Sequence, residues 1–577
     1  MRMIGRAAPL LLAAVAALTY GATAGAIASA RSLWLDEVLA VWAARLPNPS
    51  DIVNAIRSGA EFSPPTYDLF LHALFQAAGS DPLTARLPSI VAVLLTAALI
   101  GYIVDKRLGE PFGALAFALT LNSALFDYAI QARAYALLTT LLAGALVLWI
   151  DSAARVRPAR VIGIALCLFA SVSLHYYAIV TFAVFALLEI LWSFAHRHMR
   201  AGMWIAFAAG AAPCALWLPL LRRHAALNSG DVNSPEFYAA PTLAKLSEHV
   251  QALFVGAPEN WLFVLAAILI LAASACARAT KGSPARSSHA GEPASLERLV
   301  RSSRLLTLRS RAAASRRVAR TRDSGSCFET AASPPPQHEG RRLATKICPD
   351  IQGEGMNLQR GYQDDAASDG ETDLVIAGAG LLAALPIAFL LALTVTHAFS
   401  ARYALAASLG VALLATVAIH RAPYRTVVGY ALLAVLCVLP LTRGLPPDFA
   451  RAAKQILARH PTTGPIVVGD ADLFIELLEA ADPDTRARIV HLTRPAGVAD
   501  ANTASENQIM RLKASYKPDL PIVDFDAFTK DHRDFAMLAR PGWRNDALAD
   551  YFVANGWVAG ALAMGQRLSL LQMRAPR

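Results

Sequence analysis

The amino-acid sequence predicts a polytopic α-helical membrane protein with about eleven transmembrane helices and a soluble α/β domain at its C-terminal end. Three observations predict this. Of 577 residues, 55% are hydrophobic and only 17% charged, against about a quarter charged in an ordinary globular domain, and mean hydropathy is +0.41. Apolar runs long enough to cross a bilayer recur between short polar connections. After Leu441 those runs stop, and short β-type stretches alternate with helical ones. The formal net charge of +10 would suggest nucleic acid in a soluble chain. Here the basic residues sit in connections between apolar runs, the positive-inside pattern, and no nucleic-acid partner is expected.

The first apolar segment, Pro9 to Ala30, follows Arg2 and Arg6 and ends in Ala28-Ser29-Ala30, which imitates a cleavable signal peptide. Its length of about 20 residues suffices to span, and it is read as an uncleaved first helix. Cleavage after Ala30 would strip the following acidic loop of the helix that positions it. Further spans are expected at Leu87–Val104, Phe112–Ala129, Tyr135–Ile150, Val161–Leu174, Ala178–Phe194, Met203–Leu221, Trp261–Ala277, Leu374–Thr396, Tyr403–Ile419 and Val427–Leu441. Asp105 to Arg107, Arg155 to Arg160, His196 to Arg200 and His420 to Arg425 then share one side with Arg2 and Arg6, the cytoplasmic side. The Asp36/Glu37 loop, Asp127 to Arg133, His175-Tyr176, Arg222 to Asn260 and His397 to Arg402 fall on the outer side. The expected setting is the inner (plasma) membrane, crossed many times, with the C-terminal domain extracytoplasmic.

Four regions result. An N-terminal membrane module, residues 1–277, contains a long first outer loop, residues 31–86. In that loop the amphipathic piece around Ile52 and Ile56, and the run Leu69 to Phe75 after Pro64-Pro65, predict two helices lying along the membrane surface. Residues 278–373 form an Arg-, Ser- and Pro-rich cytoplasmic insert without apolar periodicity, to which no chemistry is assigned. Residues 374–441 return to the membrane. Residues 442–577 read as the α/β domain: strands at Pro465–Gly469, Ala487–His491, Pro521–Phe525 and Leu568–Met573, helices at Leu473–Ala480 and Asp546–Asn555. The six cysteines form no Cys-x-x-Cys pair, so they are read as buried thiols rather than a zinc or disulfide framework.

Chemistry concentrates at the outer ends of the spans. Asp36 and Glu37 follow the first helix, flanked by Trp34 and Trp42 as aromatic residues flank a bilayer interface. Arg86, Asp127, Arg133 with Tyr135, His175 with Tyr176 and Tyr177, and His397 with Arg402 and Tyr403 share that side. Singly, each is an interfacial anchor or a packed residue. Together they outline one reactive cavity, because ionisable groups at a membrane edge are costly unless they face a protein interior. Carboxylates there can act as general base on an acceptor hydroxyl or amine, or hold a divalent metal cation at Asp36 and Glu37. Arginines suit a phosphate. Carboxylate and arginine beside lipid point to transfer from a lipid-linked phosphate.

These residues resemble a family. Trp34-Leu-Asp36-Glu37 looks like the opening motif of the GT-C glycosyltransferases that use a polyprenyl-phosphate sugar, and within them of the protein O-mannosyltransferase and aminoarabinose transferase group. The likeness continues in Pro64-Pro65-Thr66-Tyr67, Ala85-Arg86-Leu87-Pro88-Ser89, Gln131-Ala132-Arg133-Ala134-Tyr135, His175-Tyr176-Tyr177 and Arg402-Tyr403. Ser63 stands directly before Pro-Pro, where aminoarabinose transferases tend to have a charged residue; Glu61 lies two positions away. The resemblance implies a GT-C-like bundle and an inverting transfer of one sugar from a polyprenyl-phosphate carrier to a lipid, glycan or protein acceptor on the outer face. It makes Asp36 the base or the acceptor-orienting carboxylate with Glu37 in support, Arg133 and Arg402 the phosphate holders, and Tyr135, His175 and Tyr403 further members of the donor-binding set. A transporter or flippase for a lipid-linked sugar is the alternative. Such proteins show internal repeats and charges near the midplane, and neither is evident here.

Overall fold

The computed structural model describes residues 2–153, 155–232, 239–254, 370–495, 503–540, 547–565 and 567–577. The chain divides into two units, Met1–Ser274 with Gln363–Arg577, and Ala275–Tyr362. The second unit, which takes in most of the expected insert, lies outside the described residues, as does the expected span Trp261–Ala277.

The described membrane region is helical, as predicted. Among the described residues six helices are long and apolar enough to cross a membrane: Ala7–Ala30, Pro82–Leu108, Tyr176–His196, Ala201–Leu227, Gly370–Thr396 and Arg425–Thr442. Phe112–Leu121, Tyr135–Asp151, Pro158–Leu174 and Ala406–His420 are shorter apolar helices beside them. The expected continuous span Phe112–Ala129 breaks at Asn122, whose side-chain amide donates to the Ala118 and Leu436 carbonyls, and resumes at Leu125–Ala129. The helix after the insert already includes Gly370, four positions before the expected Leu374.

The first five helices are α1 Arg2–Ala30, α2 Leu35–Ala44, α3 Pro49–Arg57, α4 Thr66–Ala78 and α5 Pro82–Leu108. The boundaries of α5 follow from local chemistry. Asp81 caps its start, accepting from the Leu83 and Thr84 N–H groups at 3.0 and 3.1 Å, and Pro82 fills the first helical position. Lys106 and Arg107 face the negative end of its dipole, and Gly109 at φ +74° ends it. Arg86 near one end and Arg107 near the other are about 30 Å apart at 1.5 Å per residue, the thickness of a hydrocarbon core. Each belongs to a separate polar layer. At the Arg107 end, Asp373 receives Arg107 at 3.3 Å and the Trp192 indole at 3.1 Å, and buried Glu189 pairs with Arg200. The Arg86 end carries the candidate site.

The first outer loop departs from expectation. It holds three helices rather than two, because the Asp36–Glu37 segment is itself helical. Trp42 is no interfacial anchor: it is 6% exposed, and its indole donates to Glu479 Oε2 at 2.7 Å.

The C-terminal region forms a six-stranded sheet: β1 Ile466–Val468, β2 Ile489–Leu492, β3 Ile522–Val523, β4 Asp534–Ala539, β5 Val558–Met564 and β6 Ser569–Arg574. The order is β3-β2-β1-β4-β6-β5. β3, β2, β1 and β4 run parallel, with Val467 beside Val490 and Met537. β6 and β5 are antiparallel. Four strands were expected; β4 and β5 were not. The domain does not close its core alone. Ile466, Phe474, Leu477 and Ile509 share one buried cluster with Leu35, Val38, Leu39 and Trp42 of α2.

Candidate active site

Adjacent residues on an α-helix point about 100° apart, and the Asp36–Glu37 pair is divided accordingly. Glu37 is fully buried. Its Oε1 accepts from Arg86 Nε at 2.8 Å and the Ala132 N–H at 2.6 Å. Its Oε2 accepts from Arg86 Nη2 at 2.6 Å and the Trp34 N–H at 3.1 Å. Arg86 is equally saturated: the Ala28, Arg31 and Ser32 carbonyls take its remaining N–H groups at 2.7, 2.8 and 2.9 Å. This pair joins the last carbonyls of α1 to the start of α2 and to α5. With its four acceptor positions filled, Glu37 offers nothing to a cation, and the carboxylate pair does not fit the divalent metal that its sequence suggests. Among the described residues no group of three or more His, Cys, Asp or Glu is arranged to hold a metal ion.

Asp36 points elsewhere and stays partly open, its side chain 22% exposed. Its Oδ2 accepts from Arg402 Nη1 at 2.9 Å, and its backbone carbonyl accepts from Arg133 Nη1 at 2.9 Å. Arg133 also pairs with Glu61 Oε1 at 2.5 Å. The motif around it is used residue by residue: Ala132 supplies an N–H to Glu37, and the Arg133 carbonyl accepts from Ser89 Oγ at 3.2 Å.

Aromatic rings line the other side. The Tyr177 and Tyr403 rings stack at 3.5 Å, and the Tyr177 hydroxyl donates to the Ala398 carbonyl at 2.8 Å. The His175 ring lies 5.3 Å from that of Tyr135 and 6.0 Å from that of Tyr403. The Arg402 guanidinium sits 5.6 Å from the Tyr135 ring. His175 Nδ1 accepts from the Tyr177 N–H at 3.2 Å, which places the ring proton on Nε2. Burial first, then the Arg133 and Arg402 charges, push the His175 pKa down to about 3, so the ring is a neutral N–H donor.

Tyr135, His175, Arg402 and Tyr403 line one end of a narrow, largely enclosed cavity whose lining Leu142, Val180 and Val184 continue between three helices. Those apolar residues lie one to two helical turns deeper than that polar end. The structure therefore brings together Asp36, Arg133, Tyr135, His175, Arg402 and Tyr403, and gives Glu37 to the scaffold. Asp127 stands apart, 3.6 Å from Arg443. His397 ends a helix at φ +52°.

Sequence reasoning missed what the C-terminal domain brings. Helix Ala471–Ala480 packs on α2. Glu476 Oε1 accepts from the Leu35 N–H at 3.0 Å, an amide with no intrahelical partner. Glu479 pairs with Arg45 at 2.7 Å as well as with Trp42. Asp472, one turn before Glu476, feels the charge of Asp36: burial first, then Asp470 and at longer range Asp36, push its pKa up to about 7. Burial and Asp472 push Glu476 up to about 8. Asp470 and Arg540, bonded at 2.8 Å, close the crevice between β1 and β4, the place where strand order reverses and open α/β sheets take ligands. The spacing of Asp472, Glu476 and Glu479 on one helical face was the available signal; nothing in the sequence says what that face meets.

No protein-family model matches the chain, and no curated protein does. Among solved structures it is similar to ArnT from Cupriavidus metallidurans in the apo state, at 13% identity over 98% of this chain and 97% of that one, with a TM-score of 0.39. The same protein bound to undecaprenyl phosphate gives 12% identity, the same coverage and a TM-score of 0.38. Similarity of that size identifies neither family nor activity.

Proposed function

We propose that the chain is an integral membrane glycosyltransferase that moves one sugar from a polyprenyl-phosphate carrier to an acceptor on the outer face. One observation carries the reading: a partly exposed carboxylate, Asp36, is bonded to Arg402, which lines an apolar cavity, while Arg133 holds the Asp36 backbone carbonyl. The apolar lining at Leu142, Val180 and Val184 matches a polyprenyl chain in chemistry, and these side chains, at most 4% exposed, would part to admit it. Its phosphate would then lie at the polar end, within reach of Arg402 and Arg133, whose forked N–H groups match phosphate oxygens. Neutral His175 adds an Nε2–H donor, and Tyr135 and Tyr403 offer hydroxyls and ring faces.

Asp36 acts as the general base. It takes the proton of the acceptor hydroxyl or amine as that atom attacks the anomeric carbon; the bond from that carbon to the phosphate oxygen breaks, and the carrier phosphate departs with the bonding pair. Attack from the face opposite the phosphate inverts the centre. The arginines stabilise charge as it develops on the leaving phosphate. Glu37 and Arg86 hold α2 so that Asp36 stays beside Arg402 at that polar end. A transporter would place its charges near the midplane, whereas these lie at one end of the bundle.

Purified protein in lipid, given a panel of polyprenyl-phosphate sugars and an envelope extract, should release free polyprenyl phosphate. Asp36→Asn should slow release by about 10²- to 10⁴-fold, the usual worth of a general base. Undiminished release by a folded Asp36→Asn protein would remove Asp36 from that role.

A further inference from the structure

Behind Arg133 lies a second acid pair that the transfer step does not use. Glu61 precedes Pro64-Pro65 and Asp68 follows it, in the first turn of α4. Glu61 is 4% exposed and Asp68 fully buried. Glu61 Oε1 is engaged by Arg133 at 2.5 Å and by Ser63 Oγ at 2.9 Å. Glu61 Oε2 and both Asp68 oxygens are buried and have no hydrogen-bond partner. Of the two acids, only Glu61 is bonded to Arg133, the guanidinium beside them. Two ionised carboxylates would leave a net negative charge buried beside a single guanidinium, and a shared proton removes it.

The surroundings decide which acid carries it. Glu61 faces the Arg133 guanidinium directly. Around Asp68 stand Glu61, the Arg133 charge beyond it, its chain neighbour Tyr67, and Tyr516 from the C-terminal domain. Both phenol hydroxyls are buried. Glu37, on the far side of Tyr67, is already neutralised by Arg86. We propose that Asp68 is a neutral carboxylic acid that donates to Glu61 Oε2, keeps the Arg133–Glu61 pair free of excess negative charge, and so holds Arg133 ready for the carrier's phosphate. Asp68 is a positioning residue, acting through Glu61 and Arg133, and the proposal rests on the reading of Arg133 as a phosphate holder. Burial, and after it Glu61, raise the Asp68 pKa well above the carboxylate range, in keeping with that state. When the pair loses its proton, two negative charges confront Arg133 and oppose an incoming phosphate.

The test uses the full chain in lipid and two independent measurements. Infrared difference spectra at neutral pH should show a carboxylic-acid carbonyl band that Asp68→Asn abolishes. Binding of a sugar-free polyprenyl phosphate should weaken with rising pH, approaching tenfold per unit above the titration of the pair. Asp68→Asn, neutral at every pH and still a donor, should bind as wild type at neutral pH and lose this alkaline fall. Asp68→Ala, which strands Glu61 Oε2, should bind more weakly throughout. Absence of the band in wild type, its survival in Asp68→Asn, or an unchanged alkaline fall in that variant would overturn the proposal. Should Asp68→Asn not fold, the wild-type pH series decides: the band and the binding must vanish together. Absence of polyprenyl-phosphate binding by wild type at any pH would instead overturn the phosphate reading, while the band would still report on Asp68.

Discussion

Asp36 and Glu37 look alike in the sequence and do different work in the fold. Glu37 is locked to Arg86 with every donor and acceptor satisfied, and both side chains are 0% exposed. Breaking one side of such a pair strands a buried charge. Arg86→Lys cannot reproduce five N–H groups in a planar fork, and it should cost about 3–5 kcal/mol of stability. Glu37→Gln should cost a similar amount. Thermal unfolding in detergent would show both as large downward shifts, with Asp36→Asn closer to wild type because Asp36 is partly exposed and Asn can still accept from Arg402. An Arg86→Lys protein as stable as wild type would refute the keystone role of this pair. The identity of the scaffold acid was not legible in the sequence, since helical geometry at α2 separates the neighbours and α2 itself was read as a loop.

Among elements, the helices Gly370–Thr396 and Ala406–His420 cross where glycine permits it. A Cβ on Gly410 would stand 2.7 Å from the Gly378 carbonyl oxygen and 3.0 Å from the Leu382 nitrogen. Backbone atoms cannot swing aside as a side-chain tip can, so Gly410→Val should force the helices apart at about 1–3 kcal/mol. Arg402 sits in the turn just before Ala406–His420, so the shift would also disturb its bond to Asp36. Reduced melting temperature with weaker carrier binding is expected; unchanged values of both would show that the crossing can relax. The spans themselves were legible because a bilayer demands long apolar runs. The break at Asn122 was not, since its amide is satisfied by Leu436, a residue more than three hundred positions away.

For the molecule as a whole, the C-terminal domain is part of the site. It shares a core with α2 and sets Asp472 and Glu476 facing the start of that helix. Both acids have folded pKa values above the ordinary carboxylate range, at about 7 and about 8. The sign follows: their contribution to docking is complete below the unfolded values near 4, declines above them, and is lost as pH rises through about 7 and 8. Amide exchange of Leu35 and of helix Ala471–Ala480, corrected for intrinsic rates, should therefore quicken between about pH 5 and pH 8. Glu476→Gln should flatten that dependence. Equal protection at both ends of the range would show that the acids do not govern docking.

Membrane spans, the strands β1, β2, β3 and β6 and the residue types of the site follow from local rules: apolar length, charge between runs, β-type stretches between turn residues. Those rules also marked a larger outer set, with Asp36, Arg133, Tyr135, His175, Arg402 and Tyr403 beside Glu37, Arg86, Asp127, Tyr176, Tyr177 and His397, and could not tell the site from its scaffold and its outliers. Partnership obeys no local rule. That Glu37 belongs to Arg86, that Glu61 and Asp68 share a proton behind Arg133, and that the C-terminal domain closes over α2 depend on contacts between residues up to several hundred positions apart. A buried polar group takes whichever partner the packed chain brings within hydrogen-bond reach, and packing settles that only once all the helices are in place.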